Sequence, residues 1–365
     1  METIIVTGGA GFIGANFVRS ALARTRYRVV VLDKLTYAAS PLSLRGAEAN
    51  PRYQFVHGDI ADRAALDSLM ARVRPSAVVN FAAETHVDRS IDGPRNFVET
   101  NLMGCFELLE AARRFWSGLG RAEREHFRFL QVSTDEVYGS LGESGSFNEE
   151  SQYSPNSPYA ASKAAADHFV RAYHATYGLP TLITNCSNNY GPLQFPEKLI
   201  PLTIFNAMAG RALPIYGDGR NVRDWLFVTD HCEALIAVLE RGQPARKYNI
   251  GGRAERTNLE VVGEVCASLD ALLPAAHNPA LKAAGCERYS ELIRFVPDRP
   301  GHDRRYAIDC SRIEGELEWR ARVDFGEGIG RTVRWYLDNP EWCDSVRGGG
   351  YAGERLGLAA ADQTA

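Results

Sequence analysis

The chain has 365 residues, 45% hydrophobic and 24% charged, with 41 basic and 45 acidic residues for a formal net charge of −4. It is long enough for one large domain or two smaller ones with a buried core, and the lack of a basic block removes nucleic acid as an expected partner. No apolar run is long enough to span a bilayer, residues 1–6 lack the pattern of a secretory signal, and seven scattered cysteines without a CxxC pair indicate reduced thiols in a cytoplasmic protein.

Residues 3–7 are a β-branched run that predicts a strand, followed at once by Gly8-Gly9-Ala10-Gly11-Phe12-Ile13-Gly14. Phe12, Ile13, Phe17, Val18 and Leu22 then recur at helix-face spacing. Residues 27–32 predict a second strand ending in Asp33, and residues 53–56 a third, closed by His57-Gly58-Asp59. Leu66, Leu69, Met70 and Val73 fall at i, i+3, i+4 and i+7 of a helix that Asp62 would cap. Residues 77–81 and 127–133 predict the fourth and fifth strands, with one long helix over 96–116 between them. Residues 139–158 are rich in Gly, Ser, Asn, Glu and Pro and predict an exposed loop able to close over a ligand. A helix over 159–177 and a strand over 182–184 follow. Strands alternating with helices imply crossover units and an α/β fold, a doubly wound, Rossmann-like parallel sheet covered on both faces.

Beyond Tyr190 the segments are punctuated by Pro and Gly, which predicts a smaller, mostly C-terminal α/β domain. A helix over 230–239 and a strand over 248–250 are expected to return to the first sheet. The expected division is 1–190, with returning segments near 224–251, for a dinucleotide-binding unit, and 191–223 with 252–345 for a substrate-binding unit. Residues 275–289 are expected to form a long connection, 329–337 a last helix, and 348–365 a disordered tail.

The glycine cluster carries the first chemistry. Glycines permit a tight turn and close backbone approach to a pyrophosphate, while the helix behind them offers unpaired N–H groups to negative charge. The cluster sits between a strand and a helix, and Asp33 follows Gly14 by 19 residues at the end of strand two, where it would accept from both ribose hydroxyls. Its charge would repel a 2′-phosphate, so NAD is expected over NADP, with Lys34 beside it as the one contrary sign. Asp59 is expected near the adenine end. Tyr159 and Lys163, spaced i, i+4, share one helical face. A neighbouring ammonium would lower the phenol's pKa and make it a base for a sugar or alcohol hydroxyl.

The motifs TGGAGFIG at 7–14, STDEVYG at 133–139, YAASK at 159–163 and SNNYGP at 187–192 resemble the extended short-chain dehydrogenase/reductases that act on nucleotide sugars. AAETHVDRS at 82–90, FPEKLIP at 195–201, RDWLFVTDH at 223–231 and DRPGHDRRYAID at 298–309 extend the resemblance toward the nucleotide-sugar 4,6-dehydratases, over residues 1 to about 338. It implies NAD as cofactor, dTDP-glucose as substrate, a step in deoxysugar synthesis and a homodimer. The dimer would pack helices near 102–115 and 159–177 across a two-fold axis. Tyr159 and Lys163 would start an oxidation at C4. Glu136 would remove the C5 proton, Asp135 would protonate the departing 6-hydroxyl, and Thr134 would bond the 4-oxygen. Two crowded carboxylates raise the pKa of one, which would supply an acid and a base from neighbours.

By the same resemblance the cofactor would touch Gly8, Gly11, Phe12, Ile13, Gly14, Asp33, Lys34, Leu35, Thr36, Asp59 and Ile60. It would also meet Ala82, Ala83, Thr100, Ser133, Asn189, Tyr159 and Lys163. Thr85 and His86 would border the sugar. Asn188, Lys198, Arg223 and Arg299 would serve the diphosphate or nucleotide, Pro214, Tyr216, Asn258 and His302 the base and ribose, and Glu197 and Leu199 would also contact the substrate. His231 and His168 read as structural. No metal is expected. Thr85 stands where Ser is usual in that family, and Ala39-Ser40 where Gly-Asn is common. A UDP-glucose 4,6-dehydratase, a nucleotide-sugar 4-epimerase and a non-catalytic dinucleotide-binding scaffold remain open as alternatives. The acidic pair Asp135-Glu136 distinguishes a dehydratase from the epimerases.

Overall fold

A computed structural model describes residues 1–298 and 301–347; the expected contact Arg299 and the expected disordered tail at 348–365 lie outside the described residues. Twelve strands occur among the described residues: β1 Thr3–Thr7, β2 Arg28–Asp33, β3 Tyr53–His57, β4 Ala77–Asn80, β5 Arg128–Thr134, β6 Thr181–Cys186, β7 Asn188–Tyr190, β8 Leu213–Tyr216, β9 Val222–Phe227, β10 Lys247–Ile250, β11 Glu255–Thr257 and β12 Ile293–Val296. The principal helices are α1 Phe12–Arg24, α2 Arg63–Val73, α3 Cys105–Ser117, α4 Pro158–Tyr177, α5 Leu199–Met208, α6 Val228–Arg241, α7 Asn258–Leu272, α8 Phe325–Asp338 and α9 Pro340–Arg347.

Seven strands form one parallel sheet in the order β10-β6-β5-β4-β1-β2-β3. Its strands read as continuous apolar runs because helices cover both faces. Ile4, Val6, Val29 and Val31 face one core with Phe17 of α1 and Leu235 of α6, while Ile5, Val30 and Val78 face the other with Leu66 of α2, Leu108 of α3 and Val170 of α4. Each such side chain contributes about 1.5–3 kcal/mol of burial. Asp62 caps α2 by accepting the Ala65 N–H, as its position predicted. The strand order reverses between β1 and β4, and at such a switch point the crevice beyond the strand C-termini is the binding position of open α/β sheets.

Two expectations are corrected. The long helix over 96–116 is three pieces: Pro94–Phe97, a wide π-helical stretch Val98–Gly104, and α3. The wide turn carries Asn101, which accepts the Glu84 N–H at 2.8 Å and donates to Ser162 Oγ at 2.8 Å, while Gly104 leaves room for Ile60. The loop over 139–158 is not a free lid. Leu141 and Phe147 donate backbone N–H groups to Arg305 and Ala307, Asp309 donates to Phe147, and Glu149 accepts the Asn249 N–H.

Beyond β6 the chain builds two small sheets, β11-β9-β7 and β12-β8. Residues 224–227 lie in β9 of the first of these, whereas α6 and β10 return to the large sheet. The long connection at 275–289 is ordered by Asn278, which caps a short helix and donates to Met208 O of α5, and by buried Tyr289, which donates to Leu273 O. Helix α9 was not expected. It docks on the first unit through Trp342 Nε1 donating to Ser43 Oγ at 3.0 Å and a bidentate Arg45–Glu341 pair. Among the described residues no helix is long and apolar enough to cross a membrane, and no cluster of metal-ligating side chains occurs.

Candidate active site

A cavity of about 270 Å³ opens at the switch point, its floor the C-terminal ends of β1, β4 and β5. The glycine turn forms one end. Gly8 adopts φ +66°, and a Cβ there would lie 2.6 Å from the Ala82 amide nitrogen; a Cβ at Gly14 would lie 2.2 Å from the Gly8 carbonyl oxygen. Only glycine lets the turn come this close to the chain that follows β4, and α1 this close to the turn. Gly11 caps α1 without a side-chain acceptor, so the leading N–H groups of α1, beside Phe12, Ile13 and Gly14 in the cavity wall, are left for an anionic ligand.

Asp33 ends β2 and is itself organised: Oδ2 accepts the Ala10 N–H at 2.9 Å and Oδ1 the Leu35 N–H at 2.8 Å. Burial pushes its carboxyl up, and those two bonds oppose the shift. Lys34 pairs with Asp59 at 3.3 Å, and its charge also acts on Asp33. These residues, with Thr36, Ile60, Ala82, Ala83 and Thr100, line the same cavity, and they fit a dinucleotide without a 2′-phosphate. Leu35 alone of the expected cofactor set is drawn back from the wall, at φ 54°, with its N–H on Asp33.

The other end holds the reacting groups. Thr134 ends β5, Asp135 and Glu136 open a 3₁₀ turn, and Tyr159 and Lys163 lie one turn apart on α4; all five line the cavity. Ser157 caps α4 by accepting the Ala160 N–H, which fixes the helix start at Pro158, directly before Tyr159. Thr134 Oγ1 accepts the Glu136 N–H at 3.3 Å, so the triplet is a local unit. Burial, then the carboxylates of Glu136 and Asp224, hold Asp135 well above the usual carboxylate range, against the opposing charge of Arg223. The direction is the one expected for an acid, with burial larger than crowding. Asp135 Oδ2, Asn188 Oδ1 and Gln194 Oε1 are buried in the wall without a hydrogen-bond partner among the described residues, as groups are that receive a polar ligand.

Burial works against the expected lowering of the Tyr159 phenol. Burial first and Glu136 second push its phenol well above the usual range, and a hydrogen bond with Thr134 only partly offsets them. Lys163 does not reverse this. Burial lowers its own pKa, and its Nζ donates to Val132 O at 2.8 Å. Desolvation in the dry interior outweighs the neighbouring ammonium.

The chain matches the family model of GDP-mannose 4,6 dehydratase over residues 5–332. It belongs to that family. A dTDP-glucose 4,6-dehydratase of Xanthomonas campestris is 56% identical, with 98% of this chain and 99% of that protein covered. The structure of a dTDP-glucose 4,6-dehydratase from Streptomyces venezuelae with NAD bound superposes with a TM-score of 0.84 at 46% identity, covering 94% of this chain and 99% of that one. A UDP-glucose 4-epimerase of Thermotoga maritima, solved with UDP-glucose, superposes at 0.78 but is only 26% identical, over 93% and 99% of the two chains.

Within this dehydratase-family fold the expected substrate contacts divide into two groups. Thr85, Asn188, Glu197 and Lys198 line the cavity. Lys198 Nζ donates to Thr85 O at 2.8 Å, and His86, just behind, meets Glu197 O at 3.3 Å. Leu199 begins α5 directly after them. Pro214 and Tyr216 of β8, Asn258 at the start of α7 and His302 lie outside the cavity wall. They gather around the 216–221 turn, with the Tyr216 and His302 rings 6.4 Å apart and Asn258 N–H on Asn221 O. Buried Arg223 stands between the groups, its guanidinium 4.4 Å over the Tyr306 ring and donating to Asp303 O at 2.9 Å.

Sequence reasoning missed Glu84, Phe195, Gln194 and Cys186 in the wall, and Arg89 and Tyr37 behind it. Arg89 Nε donates to Glu197 at 2.8 Å and stacks 4.2 Å over Tyr37, whose hydroxyl also reaches Glu197. A signal existed for Glu84, Arg89 and Phe195, which lie in motifs already singled out; for Gln194 and Tyr37 there was none. His231 is fully buried with Nδ1 2.9 Å from Asn189 Oδ1, and burial lowers its pKa to about 3, so it is neutral and orients that cavity-lining amide.

Proposed function

We propose that this chain dehydrates dTDP-glucose to dTDP-4-keto-6-deoxyglucose with NAD as a recycled cofactor, a step in deoxysugar synthesis. The observation that carries the reading is the placement of Thr134, Asp135, Glu136, Tyr159 and Lys163 around one cavity whose other end is the glycine turn and Asp33. NAD supplies the acceptor for the hydride from C4 and the donor that returns it to C6. The glycine turn and α1 hold the pyrophosphate, and Asp33 the ribose. Tyr159 takes the 4-hydroxyl proton, with Thr134 fixing that oxygen; the positive nicotinamide ring of NAD would oppose the burial that raises the Tyr159 phenol. The resulting ketone acidifies C5–H for Glu136. Asp135, held protonated by burial, gives its proton to the departing 6-hydroxyl.

The first unit, residues 1–190 with α6 and β10 returning to it, would hold the cofactor, and the segments that build the two small sheets the nucleotide sugar. Asn188, Lys198 and Arg223, with Arg299, would serve the diphosphate or nucleotide, Pro214, Tyr216, Asn258 and His302 the base and ribose, and Glu197 and Leu199 would also contact the substrate. A homodimer is supported by exposed Met103 and Phe169 and by Phe106 packed edge-on to Phe169, all on the helices expected to pair. A cytoplasmic location is supported by seven free cysteines.

Incubation with NAD and dTDP-glucose is expected to give the 4-keto-6-deoxy product without net NADH. Recovery of dTDP-galactose alone would overturn the reading in favour of an epimerase. Comparing turnover of dTDP-, UDP-, CDP- and GDP-glucose fixes the base.

A further inference from the structure

Helix α4 carries a third polar residue on the face of Tyr159 and Lys163. Asp167 follows Lys163 by four residues, giving a Tyr159–Lys163–Asp167 stripe at i, i+4 and i+8 that runs from the cavity into the interior. Asp167 is 2% exposed. One of its oxygens, Oδ2, accepts three hydrogen bonds: from Ser133 Oγ at 2.7 Å, Tyr153 OH at 3.1 Å and Asn185 Nδ2 at 3.3 Å. Three donors on one oxygen are the environment of an ionised carboxylate. The other, Oδ1, has no hydrogen-bond partner among the described residues. Helix packing alone does not call for a charge here, because a buried carboxylate is costly unless it balances something.

We propose that Asp167 is a positioning residue for the dehydration, the fixed counter-charge that keeps the Lys163 ammonium protonated and seated against Val132 O behind the cavity. The proposal deepens the function given above and rests on Lys163 acting in that reaction. The groups that face the pair are few. Asp167 is the largest attractive charge on Lys163, ahead of Cys105 of α3 and Cys186 of β6, and burial drives both thiols up to about 12, leaving them neutral. Asp167 in turn faces Tyr138, Tyr153 and Lys247. Tyr153 donates to it, and Lys247 sits 4.5 Å over the Tyr153 ring. Burial pushes Lys163 and Asp167 each toward the neutral form, and each one's charge opposes that push on the other. Ser133 and Asn185 connect the same carboxylate to the catalytic strand end, since Asn185 Nδ2 also donates to Thr134 O at 3.0 Å.

Two readouts test this, one independent of turnover. In the NAD-bound full chain, the ε-carbon NMR signal of labelled Lys163, assigned by its loss in Lys163→Met, reports the ammonium directly. In the unmodified chain it is expected to be that of an ammonium at pH 7; a neutral amine there overturns the proposal without any variant. Asp167→Asn is expected to move the Lys163 titration and the alkaline limb of dTDP-glucose turnover down by about one pH unit or more. Asp167→Glu, which keeps the charge, is expected to restore much of that shift. Loss of activity in Asp167→Asn that is uniform across pH, with the Lys163 signal unmoved, leaves only a packing role and refutes the proposal. If the unmodified chain does not turn over dTDP-glucose, the functional reading fails, and the Lys163 signal still decides the role of Asp167.

Discussion

The glycine turn offers a sharp test, because two of its glycines are predicted to fail in different ways. A methyl at Gly14 would stand 2.2 Å from Gly8 O and 2.8 Å from Gly9 Cα, both backbone, so no side chain can swing aside and the turn itself has to move. Overpacking of this kind costs about 1–3 kcal/mol. A methyl at Gly11 meets nothing closer than Gly8 O at 3.4 Å, an ordinary contact, yet it projects from the cap of α1 where the cavity begins. Gly14→Ala is therefore expected to lose stability of that order and to weaken NAD with it. Gly11→Ala is expected to keep its thermal midpoint within a degree or so while NAD affinity drops by roughly 5- to 150-fold, the same energy expressed as binding. Thermal unfolding without NAD and calorimetric titration with NAD separate the two. If Gly11→Ala binds NAD as the unmodified chain does, the pyrophosphate is not held at the α1 cap. If Gly14→Ala unfolds unchanged, the close approach of the turn to α1 is not the constraint described.

The carboxylates and the buried histidine give three further expectations. Glu136→Gln should stop incorporation of solvent deuterium at C5 and cut turnover about 10²–10⁴-fold while absorbance from reduced NAD still appears; full exchange in that variant would remove Glu136 as the base. Asp135 has a folded pKa raised by burial above its unfolded value, so its contribution to stability is complete below about pH 3.8 and is lost as pH rises through the folded value. Asp135→Asn should thus lose elimination yet stand more stable than the unmodified chain at pH 7–8 in denaturant titrations; a less stable variant would contradict the burial argument. His231 is the opposite case, lowered to about 3 against an ordinary 6.5. Its stabilising contribution is present above pH 6.5 and is lost as pH falls toward 3, by on the order of 5 kcal/mol in all. His231→Asn should flatten that acid arm of the stability curve, and an unchanged arm would assign acid sensitivity elsewhere.

Much of the site was legible because its chemistry is local in sequence. The turn between β1 and α1 needs glycine at Gly8 and Gly14 for backbone reasons that neighbours impose, and Tyr159 and Lys163 share a face through helical spacing alone. Thr134, Asp135 and Glu136 are adjacent, so any fold that ends β5 there presents them together. The wide turn at Val98–Gly104 was not legible. It exists because Asn101 finds Glu84 and Ser162, residues 17 and 61 positions away, and no periodicity within the segment encodes those partners. The loop at 139–158 has the composition of a lid but is tied down by residues 305–309.

The sequence by itself determined the alternation of strand and helix, the acidic end of β2 and the order of reacting groups along the chain, since each depends on spacing within a few residues. Tertiary structure decided how those groups behave. Whether the Tyr159 phenol is held high or low depends on burial and on Glu136, and burial is a property of what the rest of the chain packs around it. The same holds for Asp135, whose neighbours Asp224 and Arg223 arrive from β9, nearly ninety residues on. It holds also for Lys163 and Asp167, two charges that a helix sets one turn apart and that only a dry interior makes dependent on each other.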